Sequence, residues 1–434
     1  HWGTERGKWL FTKMSRAVRD EDDVVTCFRD GTVTLRKNRR LRGFTEAIVE
    51  HGYQGIRKGD LVIHGMDAFA GAIGVSDSDG KGTPVYNVCQ PRPSVNAWYY
   101  AQVMREMSQS QWILALAKGI RERSTDFRYE MFGNQRLPVP PPGEQAAIVQ
   151  FLDWANARLE RTIRAKRRVI ALLNEQKQAI IHRAVTRGLD PAVALKPSGI
   201  PWAGDIPQHW EVLRSKYIFK EVDTRSLTGA EKHLSMSQKF GLIPSSQLEV
   251  KRLVSESHVG AKLCKTGDLV LNRLKAHLGV FALAPEHGLV SPDYTVLRPA
   301  RELAARYFEA VYRTPACRIE LRQRAKGIVQ GFWRLYTDDF YDIRMPVPPV
   351  AEQHAIMDRL NIDLSGINTA ISRLDREIDF LREYRTRLVA DVVTGKLDVR
   401  AAAARLPQVA EPVDNEPDVL VEDEEAEDLN EIEH

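Results

Sequence analysis

One stretch of this sequence occurs twice, and the offset between the two copies is constant. The tract LPVPPPGEQ at 137–145 is matched by MPVPPVAEQ at 345–353, 208 positions later. The same offset relates GDLV at 59–62 to GDLV at 267–270. Self-similarity at a fixed offset predicts two copies of one structural unit.

The beginnings of the two copies differ. The pair HW at 209–210 follows the segment GDIPQ at 204–208, whereas the matching pair HW stands at 1–2. We therefore expect the natural protein to begin earlier, with this lead-in and its own Met.

Each copy has a globular part followed by a long helical part. Short β-like runs follow the Gly-Asp turns, and helices are expected near 96–118 and 301–326. The proline tract then places Glu144 or Glu352 in the first turn of a helix, where the helix dipole favours a carboxylate. The predicted fold class is α/β (α+β), with two globular domains separated by two long antiparallel coiled-coil helices in an internal pseudo-twofold repeat. The predicted segments are a globular domain at 1–136, a long helix at 137–190, a linker and second domain at 191–344, a long helix at 345–400 and a disordered acidic tail at 401–434.

Apolar residues in both helical parts recur every three or four positions, which indicates a coiled-coil seam. The stripe in the first copy is the more polar of the two. At about 1.5 Å per residue each helix is about 65 Å long, and two such helices in one chain pack most simply as an antiparallel pair. The predicted seam residues are Ile148, Leu152, Leu159, Ile163, Ile170, Leu173, Ile180, Ile356, Leu360, Leu364, Ile367, Ile371, Leu374, Ile378, Leu381 and Leu388.

Other apolar residues lie off this seam. One interpretation is contact with the globular domains of the same chain, and the other is a docking surface for helices of a partner protein. The pattern alone leaves both open. The residues proposed for partner binding are Val149, Val169, Leu172, Ile181, Ile362, Phe380, Val389 and Val393.

The formal charge of +4 conceals an uneven distribution. Twelve acidic residues and no Lys or Arg lie between Glu411 and His434, so residues 1–410 carry a formal charge of +16. This surplus favours a polyanion as ligand, most often nucleic acid, although scattered surface cations give the same count without one. The tail is typical of solvated disorder.

Targeting, membrane and metal signals are missing from the sequence. Since no long apolar window and no secretion signal is present, we expect a cytoplasmic protein without a membrane partner. The four cysteines lie far apart and the eleven histidines have no metal-binding spacing, so we expect reduced thiols and no structural metal.

Catalytic motifs are missing as well. No Asn/Asp-Pro-Pro-aromatic loop is present to hold the target amine of an amino-methyltransferase, and the segment 74–82 departs from the phosphate-binding P-loop pattern. Pro292-Asp293 is not followed by the Glu-x-Lys of a nuclease motif. We therefore expect a non-enzymatic binding protein without a cofactor of its own.

Several polar segments suit DNA binding, with a solvated loop as the alternative for each. The basic run at 36–42 can follow a phosphate backbone. The segments 64–67 and 272–277 hold matching positions in the two copies but differ in their polar residues, as base reading requires, since Arg pairs with guanine and Asn or Gln with adenine. The candidate residues are Arg36, Lys37, Arg39, Arg40, Arg42, His64, Met66, Arg121, Arg123, Arg128, Ser237, Gln238, Lys239, Asn272, Arg273, Lys275, His277, Gln330 and Arg334.

Residues 1 to about 400 resemble the specificity (S) subunit of type I restriction-modification enzymes. The resemblance rests on the twin proline-Glu-Gln tracts that open long helices, the entry IPQHW at 206–210, and the ends TRGLD at 186–190 and TGKLD at 394–398. It implies two target-recognition domains, each reading one half of a bipartite site in double-stranded DNA, and a helix pair that binds two methyltransferase (M) subunits. S-adenosylmethionine, ATP and magnesium are then expected on the M subunits and on restriction (R) subunits, not on this chain.

The residues alone leave two other functional classes open. The chain can be an autonomous DNA-binding or architectural protein, which copurification with candidate M subunits would test. A nuclease acting alone is the other class, and it requires magnesium-dependent cleavage by the isolated chain.

Overall fold

The computed structural model describes residues 2–39, 51–117, 126–237, 240–247, 258–329 and 332–407. The chain divides into two compact units: unit 1 comprises residues 1–165 and 377–434, and unit 2 comprises residues 166–376. Each unit therefore contains one globular domain, the first part of one long helix and the last part of the other.

Unit 1 is built on a four-stranded antiparallel sheet. The strand order is Phe11–Lys13, Tyr86–Pro91, Leu61–His64 and Ile73–Val75. A separate antiparallel pair, Gly3–Arg6 with Arg136–Val139, leads into the long helix. The other elements are the strands Val25–Cys27, Val33–Leu35, Gln54–Ile56 and Gly80–Gly82, the helices Gly7–Leu10, Ala97–Gln109, Trp112–Leu116, Tyr129–Asn134 and Arg400–Ala403, and the 3-10 turns Arg36–Asn38 and Ala68–Ala70.

Unit 2 repeats this architecture. Its sheet has the order Phe219–Val222, Tyr294–Pro299, Leu269–Asn272 and Phe281–Leu283, and Glu211–Arg214 pairs with Arg344–Val347. The predicted α/β fold with an internal repeat is therefore confirmed. The other elements are the strands Leu195–Pro197, Asp205–Pro207, Leu234–Ser237, Gly241–Pro244, Lys262–Cys264, Gly288–Val290, Lys326–Val329 and Phe332–Arg334, the helices Ala305–Tyr312, Pro315–Arg324 and Thr337–Tyr341, and the 3-10 turns Ser215–Tyr217, Ser245–Gln247 and Ala276–Leu278.

The repeated Gly-Asp motif forms the turn before the central strand of each sheet. Gly59 and Gly267 take φ values of +90° and +85°, which residues with a Cβ rarely adopt. Asp60 and Asp268 are buried, and each carboxylate accepts a hydrogen bond of 2.8 Å from the backbone N–H three residues earlier. The motif thus fixes the residue at which the strand begins.

The two long helices span Pro142–Arg187 and Val350–Val393. In unit 1, Arg385 donates to Glu160 at 3.1 Å, and the Arg400 guanidinium lies 3.7 Å from the Glu144 carboxylate. Later residues of one segment meet earlier residues of the other, so the segments of unit 1 are antiparallel. Neither long helix, nor any other helix in the described ranges, is apolar enough over a sufficient length to span a membrane.

The helix segments of unit 2 are antiparallel as well. Lys177 Nζ donates to Asn368 Oδ1 at 2.8 Å. Gly188, just after the first helix, lies beside Glu352 in the first turn of the second, since a Cβ on Gly188 would be 3.0 Å from the Glu352 carboxylate. Lys177 lies in the otherwise largely apolar stripe of the first helix, and the side-chain oxygen of Asn368 on the facing helix accepts its hydrogen bond.

The predicted seam residues are buried or half-buried within their own units. In unit 1 the buried seam residues are Ile148, Leu152, Ile163, Ile378 and Leu388, and the half-buried ones are Leu159 and Leu381. In unit 2 the buried seam residues are Ile356, Leu360 and Leu364, and the half-buried ones are Ile170, Leu173, Ile180, Ile367, Ile371 and Leu374.

The apolar residues off the seam fall into two groups. The assignment of Val393 to a partner surface is wrong, because this side chain is 1% exposed in the core of unit 1, where the end of the second helix packs on the globular domain. Val149, Val389 and Ile181 are half-buried against the cores of their own units. The exposed residues are Val169, Leu172, Ile362 and Phe380.

Candidate nucleic-acid interface

The central strand of each sheet ends in a tight loop, and a later segment lies against that loop. In unit 1 the loop is 64–67, and Phe127 N donates to Gly65 O at 2.9 Å. In unit 2 the loop is 272–275, and Leu335 N donates to Arg273 O at 3.1 Å. We name these two sites the strand-end surfaces. They comprise residues 64–67 with 126–128 in unit 1 and residues 272–275 with 334–336 in unit 2.

The backbones of the two strand-end surfaces match in their hydrogen bonds. The N–H of the fourth loop residue donates to the carbonyl of the first, at 3.1 Å in unit 1 and 3.2 Å in unit 2. Each loop continues into a 3-10 turn that ends at a glycine with positive φ, Gly71 at +89° or Gly279 at +74°. Two different sequences therefore build the same loop.

The side chains on this shared backbone differ. Different polar groups on one backbone present different patterns of donors and acceptors. The matched positions hold His64 and Asn272, Met66 and Leu274, Asp67 and Lys275, Asp126 and Arg334, and Arg128 and Tyr336.

His64 is held as a neutral ring in the strand-end surface of unit 1. Burial lowers the pKa of His64, and the charge of Asp67 opposes this only in part. Asp67 N donates to His64 Nδ1 at 3.2 Å, so Nδ1 is unprotonated and Nε2 carries the proton. Arg29 pairs with the same Asp67 at 2.9 Å, while Met66 is exposed beside them.

Asn272 closes its own loop in unit 2. Its Oδ1 accepts hydrogen bonds from Leu274 N at 3.1 Å and Lys275 N at 3.3 Å. A two-bond contact with adenine needs both this oxygen and the amide nitrogen. The adenine contact expected from the sequence is therefore not available to Asn272 in this conformation, and the residue shapes the loop.

In the strand-end surface of unit 2, the more exposed guanidinium is that of Arg334 and not that of Arg273. Arg273 Nε donates to Thr295 Oγ1 at 2.8 Å, and its guanidinium lies 3.6 Å from the Glu221 carboxylate. The Arg334 side chain is 30% exposed, pairs with Asp293 at 3.0 Å, and lies 5.9 Å from the ring centre of Tyr336.

Two described cations of the basic run, Lys37 and Arg39, are paired with carboxylates of their own unit. Lys37 pairs with Asp23 and Arg39 with Asp30, each at 2.5 Å. Arg36 lies in the same 3-10 turn as Lys37. Exposed pairs of this kind contribute about 0–1 kcal/mol, so a DNA phosphate can replace the carboxylate at little cost.

Other predicted DNA-binding residues lie elsewhere. Ser237 ends the strand Leu234–Ser237, and its hydroxyl accepts from Phe240 N at 3.3 Å. His277 lies in the 3-10 turn Ala276–Leu278 that follows the loop of unit 2. The candidates that fall outside the described residues are Arg40, Arg42, Arg121, Arg123, Gln238, Lys239 and Gln330, and the same holds for residues 408–434 of the tail.

A pair of buried glutamines, overlooked in the sequence, fixes each domain to its own helix. Gln353 is 1% exposed, accepts a hydrogen bond from Ala304 N at 2.8 Å and donates to Pro348 O at 2.9 Å. Gln145 makes the matching bonds in unit 1, both at 2.8 Å. The matching Gln at the end of both proline tracts was the signal for this role.

A pair of tyrosines fixes each domain to the end of the other helix. The Tyr99 hydroxyl donates to Val393 O at 3.0 Å in unit 1, and the Tyr307 hydroxyl donates to Val185 O at 2.9 Å in unit 2. The two tyrosines are 208 positions apart, so a search of the repeat for matching polar residues would have found them. Each domain is thus attached to both helix segments of its unit.

Within the described ranges, no group of three or more His, Cys, Asp or Glu side chains is arranged to hold a metal ion. The strand-end surfaces instead offer neutral donors, cations, the carboxylates of Asp67 and Asp126, and exposed apolar or aromatic side chains. Such groups can bind phosphates and base edges.

No family model matches this sequence. A protein of Methanocaldococcus jannaschii that carries the name type I restriction enzyme MjaX specificity subunit is 22% identical over 422 residues, which cover 88% of this chain and 94% of the relative. Among solved structures, a chain from a study of complex assembly and conformational transition in the type I restriction-modification system has a TM-score of 0.63 at 14% identity, covering 91% of this chain and 98% of its own. The HsdS subunit of Thermoanaerobacter tengcongensis has a TM-score of 0.45 at 15% identity, covering 91% and 97%. The resemblance drawn from the repeat is confirmed.

Proposed function

We propose that this chain, a relative of type I specificity subunits in sequence and in fold, is the DNA-recognition subunit of a type I restriction-modification complex. Each strand-end surface reads one half of a bipartite site in double-stranded DNA. Exposed apolar residues of the long helices bind two M subunits. The chain itself is non-catalytic, and S-adenosylmethionine, ATP and magnesium act on M and R subunits.

The observation that carries this proposal is the contrast between backbone and side chains at the strand-end surfaces. Matching hydrogen bonds build the same loop in both units, yet Asp67 of unit 1 stands where unit 2 has Lys275, and Asp126 stands where unit 2 has Arg334. Reading a base sequence requires a fixed scaffold with variable groups that reach base edges. Two scaffolds with different groups suit two different half-sites.

The exposed groups fit particular partners on DNA. The Arg334 guanidinium can donate two hydrogen bonds to guanine N7 and O6, and the exposed Met66 can contact a thymine methyl group. Lys37 and Arg39 can exchange their aspartate partners for phosphates.

Substitutions at Arg334 and Lys37 should separate base contacts from phosphate contacts. Arg334→Ala should cost about 1–3 kcal/mol on the cognate duplex and much less on a scrambled one, because it removes a contact to base edges. Lys37→Ala should weaken both duplexes alike and reduce the slope of log K against log salt by about 0.9, since one phosphate contact is lost. Salt titrations on both duplexes measure this difference. Equal losses from the two variants on both duplexes would contradict the assignment.

Docking of M subunits is assigned to the exposed apolar residues of the long helices. Phe380 is 67% exposed in unit 1, and Leu172 and Ile362 are 59% and 71% exposed in unit 2. Exposed aromatic and aliphatic side chains of this size are typical anchors of protein interfaces.

Phe380→Asp should weaken binding of an M subunit by about 30-fold or more, as expected when an aromatic anchor is lost. Thr386→Asp is the matched control, because Thr386 is exposed on the same helix and the substitution adds the same charge. Titration of labelled M subunit into each variant measures the affinity. Unchanged binding by Phe380→Asp, or equal weakening by Thr386→Asp, would remove Phe380 from the docking surface.

Reconstitution with M subunits tests the function as a whole. Adenine methylation of DNA should require this chain, and the chain should copurify with the M subunits. An autonomous DNA-binding protein would bind DNA but leave the M subunits free. Magnesium-dependent cleavage of DNA by the isolated chain would indicate a nuclease instead.

A further inference from the structure

One side of the first long helix carries a row of arginines in unit 1. Arg158, Arg161 and Arg164 follow at three-residue intervals, so they lie within about a third of the helix circumference. Arg158 and Arg161 are exposed, and Arg164 is partly exposed. Trp154 stands at the N-terminal end of this row, with the Arg158 guanidinium 5.7 Å from its ring centre. We name the three arginines the arginine stripe.

The second copy of the repeat shows that the scaffold does not need these charges. The positions 208 residues later hold Gly366, Thr369 and Ser372, all of them exposed. A cation required for folding of the long helix, or for a contact that both helices make, should occur in both copies. The arginine stripe therefore serves a role that only one copy has.

The acidic tail is the other charged feature found in one copy only. It follows the second long helix and contains twelve Asp or Glu residues and no Lys or Arg between 411 and 434. Four of the acidic residues are consecutive, at 422–425. The tail and the arginine stripe are thus opposite in charge, and both depart from the repeat.

The tail starts close enough to reach the stripe. Arg400 lies 3.7 Å from Glu144, and the stripe begins about 21 Å further along the helix from Glu144, at about 1.5 Å per residue. Fifteen residues separate 407 from 422, and a random-coil chain of that length has a root-mean-square span of about 20 Å. The acidic run can therefore reach Arg158 without being stretched.

We propose that residues 422–433 of the acidic tail dock on the arginine stripe of the same chain. A tether of this length gives an effective concentration of about 1 mM, which populates a weak contact between exposed charges. The contact is screened by salt. The docked tail competes with DNA for these cations, so it reduces binding to DNA of unrelated sequence.

Contact quenching of a fluorophore by Trp154 tests the docking directly in the full chain. A bimane group on Leu420→Cys sits just before the acidic run, and the four native cysteines are buried. At low salt its fluorescence should be about half of the value in 1 M NaCl, as expected for a contact that is about half populated. The low-salt fluorescence should rise about twofold when the stripe is removed by Arg158→Gln, Arg161→Gln and Arg164→Gln together. Trp154→Phe should raise it by the same factor, because the quencher is removed.

A matched variant removes three exposed arginines from the second helix instead: Arg376→Gln, Arg382→Gln and Arg387→Gln. This variant should leave the quenching unchanged. Quenching that survives loss of the stripe, or that disappears equally in both triple variants, would overturn the proposal.

A scrambled duplex distinguishes the tail from DNA as the occupant of the stripe. The triple change at the stripe is made in two backgrounds, and the affinity for the scrambled duplex is measured in each. One background has the native tail, and the other has a neutralised tail with Glu422→Gln, Asp423→Asn, Glu424→Gln and Glu425→Gln. The triple change should lower this affinity less with the native tail, because the native tail already covers the stripe. If the stripe variant lowers affinity by the same factor with either tail, DNA alone occupies the stripe and the docking proposal is wrong.

Discussion

Exchanging residues 7–135 for the matching segment of another type I specificity subunit should change one half of the recognised DNA site and leave the other half unaltered. The two ends of this segment are adjacent, because Gly7 N donates to Gln135 O at 3.0 Å. The strand pair Gly3–Arg6 with Arg136–Val139 stays in place and carries the new segment. Unit 2 has hydrophobic clusters of its own, so its strand-end surface should keep its structure.

The reciprocal exchange at residues 215–343 is the matched control. Its ends are joined in the same way, with Ser215 N donating to Ile343 O at 2.8 Å, and it should change the other half-site only. Selection of binding sites from randomised duplexes identifies both halves for each chimera. A change in both halves after either exchange would contradict the assignment of one half-site to one unit.

Ile378→Asp should lower the free energy of unfolding by about 3–5 kcal/mol. Ile378 is 4% exposed in the seam of unit 1, so the substitution places a carboxylate without a partner among apolar side chains. Phe380→Asp adds the same charge two residues later at a site that is 67% exposed, and should change the free energy by only about 0.5 kcal/mol.

Urea unfolding of both variants, followed by circular dichroism, measures the two free energies. The same pair separates stability from docking, because Phe380→Asp should weaken M-subunit binding while the fold persists. Similar losses of stability in the two variants would show that the seam does not run through Ile378.

The features that were predictable from the sequence are periodic or repeated. The offset of 208 residues gave the two-copy fold, and the three- and four-residue spacing identified residues such as Ile163 and Ile356 that are buried in the structure. Both signals add up over many positions, so single exceptions do not hide them. The helices Pro142–Arg187 and Val350–Val393 follow from the same pattern.

The features that were missed depend on contacts between residues far apart in sequence. Tyr99 bonds to the carbonyl of Val393, 294 positions later, so neither the role of Tyr99 nor the burial of Val393 has a local signal. Arg273 has the residue type of a base reader, but its Nε donates to Thr295 of a neighbouring strand, 22 positions later. Asn272 is the local exception, because its side-chain oxygen accepts from the backbone two and three residues later. Local sequence shows which chemical group is present, and only the fold shows whether that group is already bonded.

Sequencing the methylated adenines in DNA exposed to the complex of this chain with M subunits tests whether the chain directs the complex to a bipartite site. We expect methylation within a single bipartite sequence whose two specified parts are separated by a spacer of fixed length and arbitrary sequence. The exchange of residues 7–135 should alter one of these parts only. Methylation at one continuous sequence, or methylation that is the same without this chain, would show that the chain does not read a bipartite site.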